Sequence, residues 1–111
     1  MEYDSILNTI KENNDIEVED TSFDKSIISY INSSISTLSQ IKVGTPGFKV
    51  TGASETWDQY ITDIVQLGFV KDYISKYVML SFNPPRSQFL IKNVQDQLAE
   101  LTYRLNLQVE P

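Results

Sequence analysis

Carboxylates are the side chains of this sequence best placed for acid-base chemistry, and they lack the partners that such chemistry requires. Outside an acidic N-terminal stretch, Asp58 and Asp63 form one candidate pair, and Asp72 stands four residues before Lys76. Two carboxylates act as general acid and base when their surroundings push their proton affinities apart. The Asp72 and Lys76 spacing is instead that of an ordinary ion pair along a helix. The 111 residues include no histidine and no cysteine. The commonest general base and metal ligand is therefore missing, and so are disulfides and thiolate sites. Ser-His-Asp, Cys-His and histidine-zinc chemistries are ruled out on inventory. The glycine-bearing stretch Gly44-Thr-Pro-Gly47 lacks the Gly-Lys-Ser/Thr ending of a phosphate-binding loop. The expectation is a non-enzymatic protein with no catalytic residues, no metal and no cofactor.

Charge is uneven along the chain. Residues 1 to 24 carry eight acids (Glu2, Asp4, Glu12, Asp15, Glu17, Glu19, Asp20 and Asp24) against Lys11, a balance of -7, while the remainder comes to +1. Nucleic-acid affinity rests on cations that displace phosphate counterions, so this chain is poorly suited to grip DNA. An acidic or neutral wall would let a polyanion pass without sticking; the plainer reading is a solvated end that aids solubility. No apolar run approaches the roughly 20 residues of a membrane span, and the N-terminus is acidic where a signal peptide would be basic. No membrane association is expected, and the cytoplasm of the producing cell is the expected place of residence.

The elements that must position these groups read as five helices in one domain spanning 1–111, an all-α bundle. The first, about residues 3 to 12 with Asp4 or Ser5 near its start, would bury Tyr3, Ile6, Leu7 and Ile10, and Asn13-Asn-Asp15 ends it. The second follows Thr21, a candidate cap, and runs to about Gln40 with Ile27, Ile28, Ile31, Ile35 and Leu38 as its apolar stripe. Thr56-Trp-Asp-Gln59 is a capping box that starts the third, with Trp57 as a lid on the core or an interface anchor. Tyr60, Ile61, Ile64 and Val65 would continue its buried side, and Gly68 would separate it from the fourth. The fourth carries two apolar ladders, Val70, Ile74, Val78, Phe82 and Phe69, Tyr73, Tyr77, and is the expected centre of the core. Asn83-Pro-Pro85 breaks it, with Asn83 able to cap the fifth. That last helix has a seam of Ile91, Val94, Leu98, Leu101 and Leu105, opposite a wet face of Lys92, Asp96, Glu100 and Arg104.

Three regions are left over as contact candidates. The second helix bears Ser26, Ser29, Ser33, Ser36 and Ser39 away from its isoleucines, small side chains that would let a neighbouring backbone approach closely or simply stay exposed. Residues 42–56 read as a projecting loop or short β-hairpin, in which Phe48 and Val50 either meet a partner or, for Phe48, fold back onto the core. Residues 107–111 read as a flexible C-terminal tail that offers Leu107 and Val109 to a partner.

The order of these pieces resembles that of a family of tailed-bacteriophage head-tail connector, or neck adaptor, proteins. The resemblance is carried by Asp4-Ser-Ile-Leu7, Thr21-Ser-Phe-Asp24, Ile31-Asn-Ser33, Gly47-Phe48 ahead of Ser54-Glu-Thr-Trp57, the Phe82-Asn-Pro-Pro85 break and Leu101-Thr-Tyr-Arg-Leu-Asn106. It covers almost the whole chain and contains no short catalytic signature. It implies a helical bundle that assembles head to tail into a homo-oligomeric ring of roughly twelve copies. Such a ring sits on the portal protein at the capsid, faces a tail completion or terminator protein, and lines a channel through which DNA passes without specific binding. The implied location is the neck of the virion, after synthesis in the host bacterial cytoplasm. The alternative from another class is a small helical protein-protein adaptor or regulator, in which the heptad seam pairs with another helix. A DNA-binding regulator would need a basic recognition helix, and none of the five has one.

Overall fold

The computed structural model describes residues 5–108, and in them five helices: α1 Ile6–Asn13, α2 Asp24–Gln40, α3 Trp57–Tyr60, α4 Ile64–Phe82 and α5 Gln88–Gln108. No sheet forms among the described residues; the one β-bridge recorded there pairs Ser5 with Thr56. Helix α4 is the centre: α2 and α5 pack along it, and α1 packs on both α2 and α4. Its stripe supplies Val70, Tyr73, Ile74 and Val78 to the core, facing Ile27, Ile31, Ile35 and Leu38 of α2 and Ile6, Leu7 and Ile10 of α1. Complete burial of each such aliphatic side chain contributes about 1.5–3 kcal/mol against the entropy of ordering the chain.

Local chemistry sets where each helix starts, and here several expectations change. Ser5, one of the two expected start residues, caps α1, its Oγ accepting the Asn8 N–H at 3.2 Å, so the helix itself runs from Ile6; Tyr3 lies outside the described residues. Thr21 does not cap α2 through its side chain. Its carbonyl accepts the Asp24 N–H at 3.2 Å, Asp20 takes the Ser22 N–H at 3.0 Å, and Phe23 holds the cap position without a side-chain bond. Ser87, not Asn83, caps α5: its Oγ accepts from the Phe89 N–H at 3.1 Å and the Leu90 N–H at 3.4 Å. The backbone N–H of Asn83 closes α4 instead, on the Met79 carbonyl at 2.8 Å.

The boundary between α3 and α4 falls at residues 61–63, not at Gly68, which lies inside α4. A carboxylate is the reason. Asp63 Oδ1 accepts from the N–H groups of Val65 and Gln66 at 2.9 and 3.2 Å and so opens a new helix. Helix α3 is left as a single turn, with Thr56 N–H held by Gln59 Oε1 at 3.1 Å. Ile64 and Val65, expected inside, begin the new helix on its outer side at 83% and 57% exposure.

Residues 42–56 do not stand off the bundle. Val43 and Val50 are each 1% exposed, within the core. The Asn32 side-chain amide pairs with the Val50 backbone in both directions, at 2.9 and 2.8 Å, as a strand neighbour would. Thr45 binds the Tyr60 carbonyl through both its N–H, at 3.1 Å, and its hydroxyl, at 2.9 Å. Phe48 stacks on Tyr60 with ring centroids 4.9 Å apart, so this side chain folds back. The path needs Gly44 at φ +84°, where a Cβ would lie 2.3 Å from the Tyr60 ring.

Candidate interaction surfaces

The carboxylates singled out for chemistry are all engaged in local structure. Asp58 accepts the Thr56 hydroxyl at 2.5 Å, Asp63 caps α4, and Asp72 pairs with Lys76 one turn on. Among the described residues no group of three or more histidine, cysteine, aspartate or glutamate side chains is placed to hold a metal. Two tyrosines, Tyr60 and Tyr73, have their phenol acidity suppressed by burial, and the Tyr60 hydroxyl lies buried without a hydrogen-bond partner. Glu55 is held below its usual range, first by the Thr51 hydroxyl, whose Oγ1 donates to Oε2 at 2.6 Å.

Two of the sequence-derived contact regions meet in one place. Ser29, Ser33, Ser36 and Ser39 of α2 line a groove of about 400 Å³ together with Thr45, Phe48 and Lys49. Ser26, exposed one turn nearer the start of α2, lies outside it. Val50 is removed from the surface altogether, because the Asn32 clamp turns the strand-like segment so that this valine enters the core. The sequence marks Asn32 only within the Ile31-Asn-Ser33 piece of the resemblance; its clamp on Val50 emerges with the structure, where the amide beside Ile31 finds backbone to bond.

Along α5, Lys92 and Asp96 form an ion pair at 3.0 Å, and Arg104 Nε donates to Glu100 at 2.7 Å. All four side chains are more than half exposed, and such pairs contribute about 0.3–0.5 kcal/mol. Only the C-terminal half of the seam is buried: Leu101 and Leu105 are inside, while Ile91, Val94 and Leu98 are half-covered. Phe89, Leu90, Tyr103 and Leu107 are exposed. The helix continues through Leu107 and Gln108, the first two residues of the expected tail; Val109 lies outside the described residues.

The acidic N-terminal stretch is more one-sided at the surface than its composition implies. Lys11, its single base, is 1% exposed; its Nζ lies 2.8 Å from Asp24 Oδ1 and donates to the Val18 carbonyl at 3.0 Å. The turn that follows α1 therefore presents Glu12, Asp15, Glu17 and Glu19 around one shallow hollow with no cation among its lining residues. Trp57 is 3% exposed, its Nε1 donating to Thr9 Oγ1 at 3.1 Å and Lys71 lying over its ring at 5.5 Å, so it is the lid of the core. No helix among the described residues is long and apolar enough to cross a membrane.

Comparison with known proteins agrees with the pattern of elements. The family model described as "Phage connector protein" matches residues 6–111. Neither a search of curated proteins nor a search of solved structures returns a match. The match runs through all five helices, the 41–56 connection and the double-proline break, and on it the chain belongs to the phage connector family, whose members are structural proteins of the virion.

Proposed function

We propose that this protein is a subunit of the phage neck, assembled as a ring of about twelve copies on the portal and linking capsid to tail. The observation that carries this reading is the match of the connector family over residues 6–111. The surface is consistent with it. A ring subunit needs two different contact faces, and the groove formed by Ser29, Ser33, Ser36 and Phe48 lies on α2, whereas the charged face of Lys92, Asp96 and Glu100 lies on α5. Ser26 extends the first face toward the start of α2. Leu107, with Val109 beyond it, is the proposed axial contact, with the portal on one side of the ring and a tail completion or terminator protein on the other.

DNA passes through the channel of this ring without specific binding. The acidic turn after α1, with its lysine withdrawn into the core, repels phosphate and offers no cation to retain it. Catalysis has no part in this role.

Cryo-electron microscopy of particles carrying the protein, or of the purified protein mixed with the portal of the same phage, tests the reading. Classification for rotational symmetry should reveal a ring stacked coaxially on the portal. A protein absent from particles and unable to bind portal would overturn it, and a small helical adaptor would then be the better account.

A further inference from the structure

The α4 and α5 hairpin carries an uncovered apolar pair at each of its two ends. At the start of α4, Ile64 and Val65 are 83% and 57% exposed; at the start of α5, Phe89 and Leu90 are 76% and 47% exposed. Because the helices are antiparallel neighbours and α4 has 19 residues, these pairs lie about 27 Å apart along the hairpin. A partner large enough to cover both would span the molecule, whereas two copies in register would cover one pair with the other.

Charge decides which end meets which. Asp63 adjoins the first pair, and exposed Asp58 lies in the turn before it; Lys42 borders the same hollow as Asp63, which leaves that end negative on balance. Arg86 adjoins the second pair, exposed and without an ion-pair partner among the described residues. A contact between like ends would set Arg86 against Arg86 or Asp63 against Asp63. A contact between unlike ends sets Arg86 against Asp63, and repeated head to tail from copy to copy it is the arrangement that closes a ring.

We infer that the Phe89-Leu90 end of one copy seats on the Ile64-Val65 end of the next, with Arg86 facing Asp63, as the contact between adjacent subunits. This deepens the ring reading and rests on it. The partly exposed pair at each end offers no more than about the 150–250 Å² of one fully buried aromatic ring, well below the roughly 800 Å² per partner of a stable complex. The contact is therefore too small to hold two free subunits and becomes effective only when neighbours are aligned on a template and the ring closes.

The cysteine-free sequence permits a clean test. The double variant Ile64→Cys/Phe89→Cys is incorporated into particles and treated with a short bismaleimide, then separated under denaturing conditions. The expected result is a ladder rising one subunit at a time, with each single variant remaining monomeric. Particles that carry the double variant in normal amount but yield only monomer would overturn this contact while leaving the ring intact. A double variant that stops at dimer, or cross-linked dimers from either single variant, would overturn it in favour of a two-fold contact. If wild-type protein is itself absent from particles, the ring reading fails and this contact falls with it. A second readout uses Asp63→Asn, which keeps the capping oxygen and removes only the charge: incorporation in competition with wild type should drop by two-fold or more, and an unchanged ratio would remove the Arg86 and Asp63 pairing.

Discussion

Gly44 offers the sharpest test of how the 41–56 connection is held, because a second glycine provides its control. Both Gly44 and Gly47 have positive φ, +84° and +76°, so alanine at either costs about 1–2 kcal/mol in backbone strain. Both substitutions also recover some stability by stiffening the unfolded chain, by about 0.4–1 kcal/mol. They differ in what the new methyl meets. At Gly47 nothing lies within 4 Å; at Gly44 the methyl carbon falls 2.3 Å from Tyr60 Cε1 and 2.7 Å from Cζ. Ordinary carbon contacts are about 3.5–4.0 Å, so the Tyr60 ring must move by more than 1 Å. That ring is 1% exposed and stacked on Phe48, and overpacking of this kind costs about 1–3 kcal/mol. Gly44→Ala should thus destabilise the fold by about 1–3 kcal/mol more than Gly47→Ala, or at least about 4 °C in Tm. Urea and thermal unfolding followed by circular dichroism and Trp57 fluorescence measure the difference. Equal stabilities for the two variants would refute the argument that Tyr60 seats this connection.

Tyr60→Phe should be neutral or stabilising by up to about 1 kcal/mol, because it removes a buried hydroxyl that has no partner. The same change bears on alkaline stability. Burial raises the folded-state pKa of Tyr60, so its contribution is complete below the ordinary value of 10.0 and is lost as pH rises above it. The phenylalanine variant should lose less stability above pH 10 than the parent, and identical alkaline unfolding curves would count against this. The Lys11 and Asp24 pair should respond asymmetrically. Asp24→Asn strands an ammonium that is 1% exposed and should cost about 3 kcal/mol, whereas Lys11→Met leaves a carboxylate that is 26% exposed, although its Oδ1 is buried, and should cost less; denaturant midpoints in the reverse order would refute this. Ser87→Ala should cost about 1 kcal/mol by removing the cap of α5, while Asn83→Ala should leave that helix unaffected, as thermal melts of the two variants would show.

The family resemblance was legible in the order of elements, and the family match over residues 6–111 bears it out. The central place of α4 was legible as well, since a stripe formed by two apolar ladders needs cover on two sides, and α2 and α5 supply it. Cap residues were legible in part: Thr56 and Gln59 form the expected capping box, and Ser5 caps α1. Asn83 and Gly68 each have the right chemistry for a helix end, but Ser87 and Asp63 lie a few residues away with equal or better chemistry, and at α2 Phe23 rather than Thr21 holds the cap, without a side-chain bond; local sequence does not rank such candidates.

What the sequence determined by itself is what depends on composition and on spacing within one turn. The absence of histidine and cysteine excludes whole classes of chemistry, Pro84 and Pro85 end α4, and i,i+4 charges pair along α5. Which apolar groups find cover was decided only by the tertiary structure. Periodicity marks Val50, Ile64 and Phe89 alike as apolar, yet Asn32 of α2 draws Val50 inward, Asp63 turns Ile64 outward, and α5 overruns the core at Phe89. Burial is a property of neighbours brought from elsewhere in the chain. For the same reason the serines of α2 and Phe48 become one groove, and Lys11 leaves the surface for Asp24, only once the chain has folded.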